Sequence, residues 1–143
     1  MKRSSLYVGL LALALGAASC KTTQKQEALT ADELAGKWTI SAIAGEPVQA
    51  ENALTLDFTQ EGRVHGEVGC NIYNNTYTFD AAASTLTFSP DGQMTMMMCP
   101  DAETEGKIVA ALAGTAGVAR SSEQAGCIDL LGASGDILLT LCK

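Results

Sequence analysis

Histidine occurs once in this chain, at His65, and no two cysteines stand at C-x-x-C spacing. Together these absences exclude the usual Cys/His zinc frameworks and a thioredoxin-type redox pair. No serine or cysteine stands at a recognisable nucleophile turn, so a Ser-His-Asp arrangement is not supported. A glycine loop that could cradle phosphate is missing as well. Basic residues are few: 9 Lys+Arg against 16 Asp+Glu, a formal net charge of −7. Without a basic patch, nucleic acid and anionic lipid headgroups are poor partners. No apolar run reaches the roughly 20 residues that a membrane-spanning helix requires. These gaps leave little room for an enzyme, and the expectation is a non-enzymatic protein with no cofactor and no metal.

The apolar stretch that does occur is short. Leu6 to Leu15 follows Lys2 and Arg3 and gives way to Gly16-Ala17-Ala18-Ser19-Cys20. That order is the n-region, h-region and small-residue cleavage site of a secretory signal. A cysteine directly after the cut can carry diacylglycerol on its sulfur. The stretch resembles a bacterial lipoprotein signal, with Ala17 where leucine is favoured. Residues 1–19 are therefore expected to be removed, Cys20 to be lipidated, and 20–29 to form a flexible tether built on the polar KTTQKQEA. Two or three acyl chains hold a protein on a membrane where one binds marginally, so the membrane is the expected partner through the lipid alone. Lys21 rather than aspartate follows Cys20, which by the enteric rule resembles outer-membrane retention. The expected location is the cell envelope, at the periplasmic face of the outer membrane. Losing Lys2 and Arg3 takes the 9 basic residues to 7 against 16 acidic ones, a formal net charge of −9.

Residues 30–143 read as one domain. Thr30 and Glu33 fit a capping box on a short helix that Gly36 can end. Strand signals follow: Lys37 to Ile43, then Leu54, Leu56 and Phe58 alternating with polar neighbours, then a Gln60-Glu61-Gly62 turn into Arg63 to Cys70. Asn71, Asn74 and Asn75 suggest an irregular crossing before Thr76 to Asp80. Thr85 to Ser89, the turn Pro90-Asp91-Gly92 and Met94 to Met98 continue the pattern. Asp101 then looks like the cap of a helix with Glu103 and Glu105 in its first turn and Ile108, Val109, Ala111 and Leu112 as its apolar stripe. Val118 to Ser122, Cys127 to Leu131 and Ile137 to Cys142 complete the strands. The fold class expected is mainly β with one helix (α+β): a strongly curved antiparallel sheet or incomplete β-barrel packed on a single mid-chain helix.

Beyond Cys20, four cysteines remain: Cys70, Cys99, Cys127 and Cys142. An even number in an exported domain points to disulfides, and four cysteines permit three pairings. If Ser134-Gly135 is a two-residue turn, Cys127 lies opposite Cys142; a slip of one residue would separate them.

Three segments resemble the META domain of HslJ-like heat-shock lipoproteins. They are Gly36-Lys37-Trp38-Thr39-Ile40, Gly66-Glu67-Val68-Gly69-Cys70-Asn71-Ile72-Tyr73 leading to Tyr77, and Thr95-Met96-Met97-Met98-Cys99-Pro100 followed by Glu103. The resemblance covers roughly residues 30 to 143. It implies a β-rich fold with one helix, an envelope location, no established enzymatic activity, and a role in stress response or drug tolerance. It also implies a Cys70–Cys99 bridge, because both cysteines follow strand ends that must lie close together. The same likeness brings in lipoprotein pilots of secretion pores, so a lipid- or peptide-binding module is an alternative. An inhibitor of a lysozyme-type hydrolase, acting through the acidic surface, is another.

Three constellations invite chemistry. Met94-x-Met96-Met97-Met98 offers soft thioethers that suit copper(I), but methionine is also an adaptable core filler; core packing is expected here. His65 should face solvent or the second face of the sheet. Trp38, Tyr73 and Tyr77 are contact candidates for an envelope partner if exposed and core residues otherwise. Asn71 is expected to fix the corner from Cys70 to Tyr73 through its short amide.

Overall fold

The computed structural model describes residues 27–143. The signal segment, Cys20 and the first part of the tether lie outside the described residues. Packing begins at Leu29, which is buried. Thr30 then organises the first helical turn. Its Oγ1 accepts from the Glu33 N–H at 3.3 Å, and Glu33 Oε2 accepts from the Thr30 N–H at 2.8 Å. This is the expected capping box. The helix it starts, α1 (Ala31–Leu34), lasts one turn and sends Leu34 fully into the core.

From Gly36 the chain is strand: β1 (Gly36–Ile43), β2 (Glu46–Pro47), β3 (Thr55–Phe58), β4 (Arg63–Glu67), β5 (Ile72–Asp80), β6 (Thr85–Phe88) and β7 (Gln93–Met94). One helix, α2 (Ala102–Gly114), precedes β8 (Thr115–Arg120), β9 (Cys127–Gly132) and β10 (Ile137–Cys142). β1, β3, β4, β5, β6, β8, β9 and β10 pair antiparallel in that order, and β10 pairs back onto β1, closing an 8-strand barrel. β2 adds to β1, and β7 adds to β5. The mainly β fold with one mid-chain helix is thus as expected, and the ring is complete. Closure gives each of the eight wall strands a partner on both sides, with β6 and β8 joined at a single residue pair.

Alternation along each strand fills the interior. Trp38 and Ile40, Leu56 and Phe58, Val64 and Val68, Leu86, Val118, Ile128 and Leu130, Leu139 and Leu141 all point inward and are buried. Fully burying each large aliphatic or aromatic side chain contributes roughly 1.5–3 kcal/mol. The thinnest seam lies between β6 and β8, which share the single pair Thr85↔Gly117 and a Val118 N–H to Ser84 carbonyl bond of 3.1 Å. Helix α2 packs on β1, β6, β9 and β10, with Ile108 and Leu112 fully buried against them.

Close strand approach explains one glycine. A Cβ at Gly66 would stand 1.8 Å from the Thr55 carbonyl oxygen, so β3 and β4 can meet there only across hydrogen. The hairpins also carry positive φ where the turns demand it. At Gly62 (φ +77°) and Gly135 (φ +83°) a three-residue loop ends in a left-handed residue.

Local expectations differ from the structure in four places. The β9–β10 loop is three residues long, not two, closed by the Gly132 N–H to Asp136 carbonyl bond of 2.9 Å. A bulge between Ile137 and Leu139 then restores the register, so Cys127 still lies opposite Cys142. β5 runs unbroken through Asn74 and Asn75: the Asn75 amide donates to Tyr73 Oη (2.6 Å) and the Ser89 carbonyl (2.9 Å), and its Oδ1 accepts from the Thr76 N–H (2.8 Å). β8 starts at Thr115, directly after α2. β7 ends at Met94, and residues 95–99 lie beyond the ladder.

Candidate functional site

The two family-like elements meet at the start of α2. Gly69 adopts φ +148°, and a Cβ there would come within 3.0 Å of Glu105 Oε2. That glycine therefore lets the corner lie directly against the helix. The next residues supply two ties. Cys70 is bridged to Cys99, with Cα atoms 6.0 Å apart. Asn71, only 2% exposed, lies against the bridge, with Nδ2 3.7 Å from Cys99 Sγ, and spends both ends of its amide.

Asn71 Nδ2 donates to the Met97 carbonyl (3.0 Å) and to both carboxyl oxygens of Glu105 (2.9 and 3.0 Å). Its Oδ1 accepts from Thr95 Oγ1 and from the Met97 N–H, each at 2.8 Å. Thr95 completes the frame: its N–H donates to the Ile72 carbonyl at 3.1 Å, and its Oγ1 accepts from the Ile72 N–H at 2.9 Å. The expected corner-fixing role of Asn71 holds and extends further. One buried amide fastens the corner, the segment 95–97 and the first turn of α2 together. Glu105 was legible only as a helix-dipole partner, yet it lies three residues before Ile108 and seven before Leu112. That spacing puts it on the buried face, where it is 6% exposed.

The segment so fastened displays methionine. Met96 is 85% exposed, Met97 57%, and Met98 fully so, with Ile72 beside them at 47%. Core packing of this run is corrected: Met94 alone packs against the core, since β7 gives only Gln93 and Met94 a place in the sheet. Asp101 is a second correction. It stands at the N-cap position of α2 but makes no side-chain cap bond, and its buried Oδ2 has no partner among the described residues.

The second disulfide, Cys127–Cys142, joins paired residues of β9 and β10 with Cα atoms 4.1 Å apart. Near it, Lys143 Nζ lies 4.4 Å over the Trp38 ring and donates to the carbonyls of Glu33 (2.7 Å) and Ala35 (2.9 Å). Arg120 pairs with Glu33. That bond, followed by those from Thr30, pulls the Glu33 carboxyl down to about 2. A cavity of about 350 Å³ lies here, lined by Leu29, Trp38, Gln124 and Lys143 among others.

The remaining candidates do not assemble a reaction centre. His65 faces outward from β4, with Nε2 3.8 Å from Asp57 Oδ2 and both side chains well exposed. It lines a polar groove of about 670 Å³ with Arg63, Asn74, Asn75 and Asp91. Among the described residues, no three His, Cys, Asp or Glu side chains gather as a metal site would need. Trp38 and Tyr73 are buried, and the Trp38 indole donates to the Leu34 carbonyl at 2.7 Å. Tyr77 donates to the Thr59 carbonyl at 2.5 Å and meets Phe58 edge-on. Burial raises the phenol pKa of both tyrosines. These aromatics are core and wall residues of the barrel, and the exposed apolar side chains are those of Ile72 and Met96 to Met98.

Known structures share the architecture. A protein from Burkholderia xenovorans, determined by NMR, superposes with a TM-score of 0.61 at 21% identity, covering 97% of each chain. A second NMR structure gives 0.58 at 21% identity over 79% of this chain and 93% of the other. A crystal structure of a DUF4847 family protein from Bacteroides vulgatus gives 0.52 at 15% identity over 76% and 92%. At such identities the likeness is one of fold. No curated protein matches the chain. The META domain model matches residues 27–142, the span that holds the barrel, the helix and the Asn71 junction, and the chain belongs to the META domain family.

Proposed function

We propose that this is a lipid-anchored protein of the bacterial cell envelope that works without catalysis, by presenting a fixed contact surface to an envelope partner under stress or drug challenge. The observation that carries this reading is the exposure of Met96, Met97, Met98 and Ile72 on a backbone pinned by Asn71 and the Cys70–Cys99 bridge. Exposed apolar side chains on a rigid frame are what a partner can bury at low ordering cost. Methionine suits such a surface because its flexible thioether adapts to more than one shape. The lipid on Cys20 would keep the barrel beside its partners, and the polar tether would set how far it reaches.

The alternatives lack a seat of this kind. An acyl chain or peptide strand between sheet and helix would have to displace Ile108 and Leu112, which are fully buried there. An inhibitor of a cationic hydrolase rests on net charge alone.

Site-specific photo-crosslinking in intact cells tests the proposal. A crosslinker at Met96 is expected to trap a partner whose yield rises under heat stress, while one at Gly135, in the β9–β10 loop, is not. Equal trapping at both positions would overturn it. Cys20→Ser is expected to release the folded domain from membranes; a variant that stays membrane-bound would refute the tether.

A further inference from the structure

We propose that the Met96–Met98 segment is a surface site for a soft monovalent d¹⁰ cation, Cu(I) or Ag(I), with the thioethers of Met96 and Met98 as its donors. This goes beyond the partner surface proposed above and does not depend on it. Three observations converge. First, the sulfurs are presented and not packed: Met96 is 85% exposed and Met98 fully so, whereas Met97 between them is 57% exposed. Met96 and Met98 are thus the two side chains of the run most open to solvent, two positions apart in the chain. Their Cα atoms therefore stand no more than about 7 Å apart. Two three-torsion side chains span that distance easily and can close on one ion.

Second, the backbone beneath is already ordered. Both the N–H and the carbonyl of Met97 are bonded to Asn71, and Thr95 is bonded to Asn71 and Ile72. Binding would therefore restrict side-chain torsions and not the chain, which is the preorganisation a weak two-donor site needs. Third, among the described residues no cysteine is free to compete as a thiolate. Cys70, Cys99, Cys127 and Cys142 are all in disulfides, and His65 lies on β4 beside Asp57. A thioether carries no proton to lose, so it stays available where a thiol is oxidised or protonated. It selects soft cations such as Cu(I) over calcium or magnesium. The acidic chain, at a formal −7, draws cations toward its surface.

The test uses the oxidised Cys20→Ser chain, which lacks the one cysteine outside the two bridges, with methionine ε-methyl groups carbon-13 labelled and silver nitrate as the probe in chloride-free buffer. Ag(I) needs no reductant, so the disulfides stay intact. The Met96 and Met98 methyl signals are expected to shift and saturate near one equivalent, with Met94 unmoved. The Met96→Leu/Met98→Leu variant is expected to weaken binding at least about tenfold, and His65→Ala to leave it unchanged. Leucine keeps the apolar surface and removes only the sulfur. A variant that still traps its partner but no longer binds silver therefore separates the two proposals. Shifts that never saturate, shifts confined to other methionines, undiminished binding by the leucine variant, or loss of binding in His65→Ala would each overturn the site.

Discussion

Replacing Asn71 with alanine is the sharpest probe of the junction, because one side chain there serves three segments. Its bonds to Thr95 and Met97 border an exposed surface, so water takes over those partners; losing them costs about 1 kcal/mol in total. Glu105 is different. It is 6% exposed and both its carboxyl oxygens accept from the Asn71 amide. Stranding that group adds about 1–3 kcal/mol, and the small void left by the side chain roughly another 1. The expected loss is therefore about 3–5 kcal/mol, or a fall in urea midpoint of roughly 2–3 M at an m-value of about 1.5–2 kcal/mol/M. Urea denaturation of the oxidised protein measures it, and hydrogen exchange at the Met97 amide reports whether the display segment has come loose. Glu105→Ala combined with Asn71→Ala should cost less than the two separately, by about 1–2 kcal/mol, since the stranded partner is then gone. A loss under about 1 kcal/mol, or strictly additive single variants, would refute the account of Asn71 as the shared fastening.

Gly66→Ala should destabilise by about 3 kcal/mol or more, because its methyl would overlap the Thr55 carbonyl and force β3 away from β4; a thermal midpoint within a degree or two of the parent would contradict the close approach. Removing the Cys70–Cys99 bridge, which spans 29 residues, should cost roughly 3.5 kcal/mol in the chain-entropy treatment, and removing Cys127–Cys142, which spans 15, roughly 3 kcal/mol. Denaturation of each double serine variant checks this, and a negligible loss in either would place that bridge outside the stabilising framework. Glu33 should titrate near 2, because Arg120 and then Thr30 favour its charged form. Its folded pKa lies below the unfolded one, so the stability it adds is present above about 4.5 and disappears as pH falls toward 2. The gap in denaturation midpoint between the parent and Glu33→Gln should therefore close on acidification, and a gap that persists at pH 2 would show another cause.

Local chemistry made much of this fold legible. The Thr30/Glu33 box, the alternation through Leu56 and Phe58, and the opposition of Cys127 to Cys142 all follow from rules that act within a few residues or one hairpin. Even there the path differed: the β9–β10 loop has one residue more than expected, and a bulge absorbs it. Register was set by burial on both strands, which a single turn cannot override. Asn74 and Asn75 were misread for the converse reason. Their propensity favours a turn, but β4 on one side and the Ser89 carbonyl on the other satisfy them within a strand. The methionine run was the largest miss. Hydropathy measures a side chain's preference for the interior, not whether the barrel has room for it. Nothing local reveals that Thr95 to Cys99 leaves the ladder and is held by a side chain more than twenty residues away.

That placement couples display to stability in a definite way. The β6–β8 seam is joined by one residue pair, so the barrel depends on α2 to cover the strands that flank it. The first turn of α2 is held through Glu105 by the same Asn71 that holds Met97. The disulfide from Cys70 to Cys99 binds the two sides of that junction covalently. Letting the methionine segment move would therefore loosen the start of the helix that seals the weakest seam. The backbone that carries the exposed thioethers is thus tied at Met97 to the same amide that holds the first turn of α2. The Gly69-Cys70-Asn71 corner and the segment from Thr95 to Cys99 meet at one side chain, Asn71, which holds both the first turn of α2 and the exposed segment.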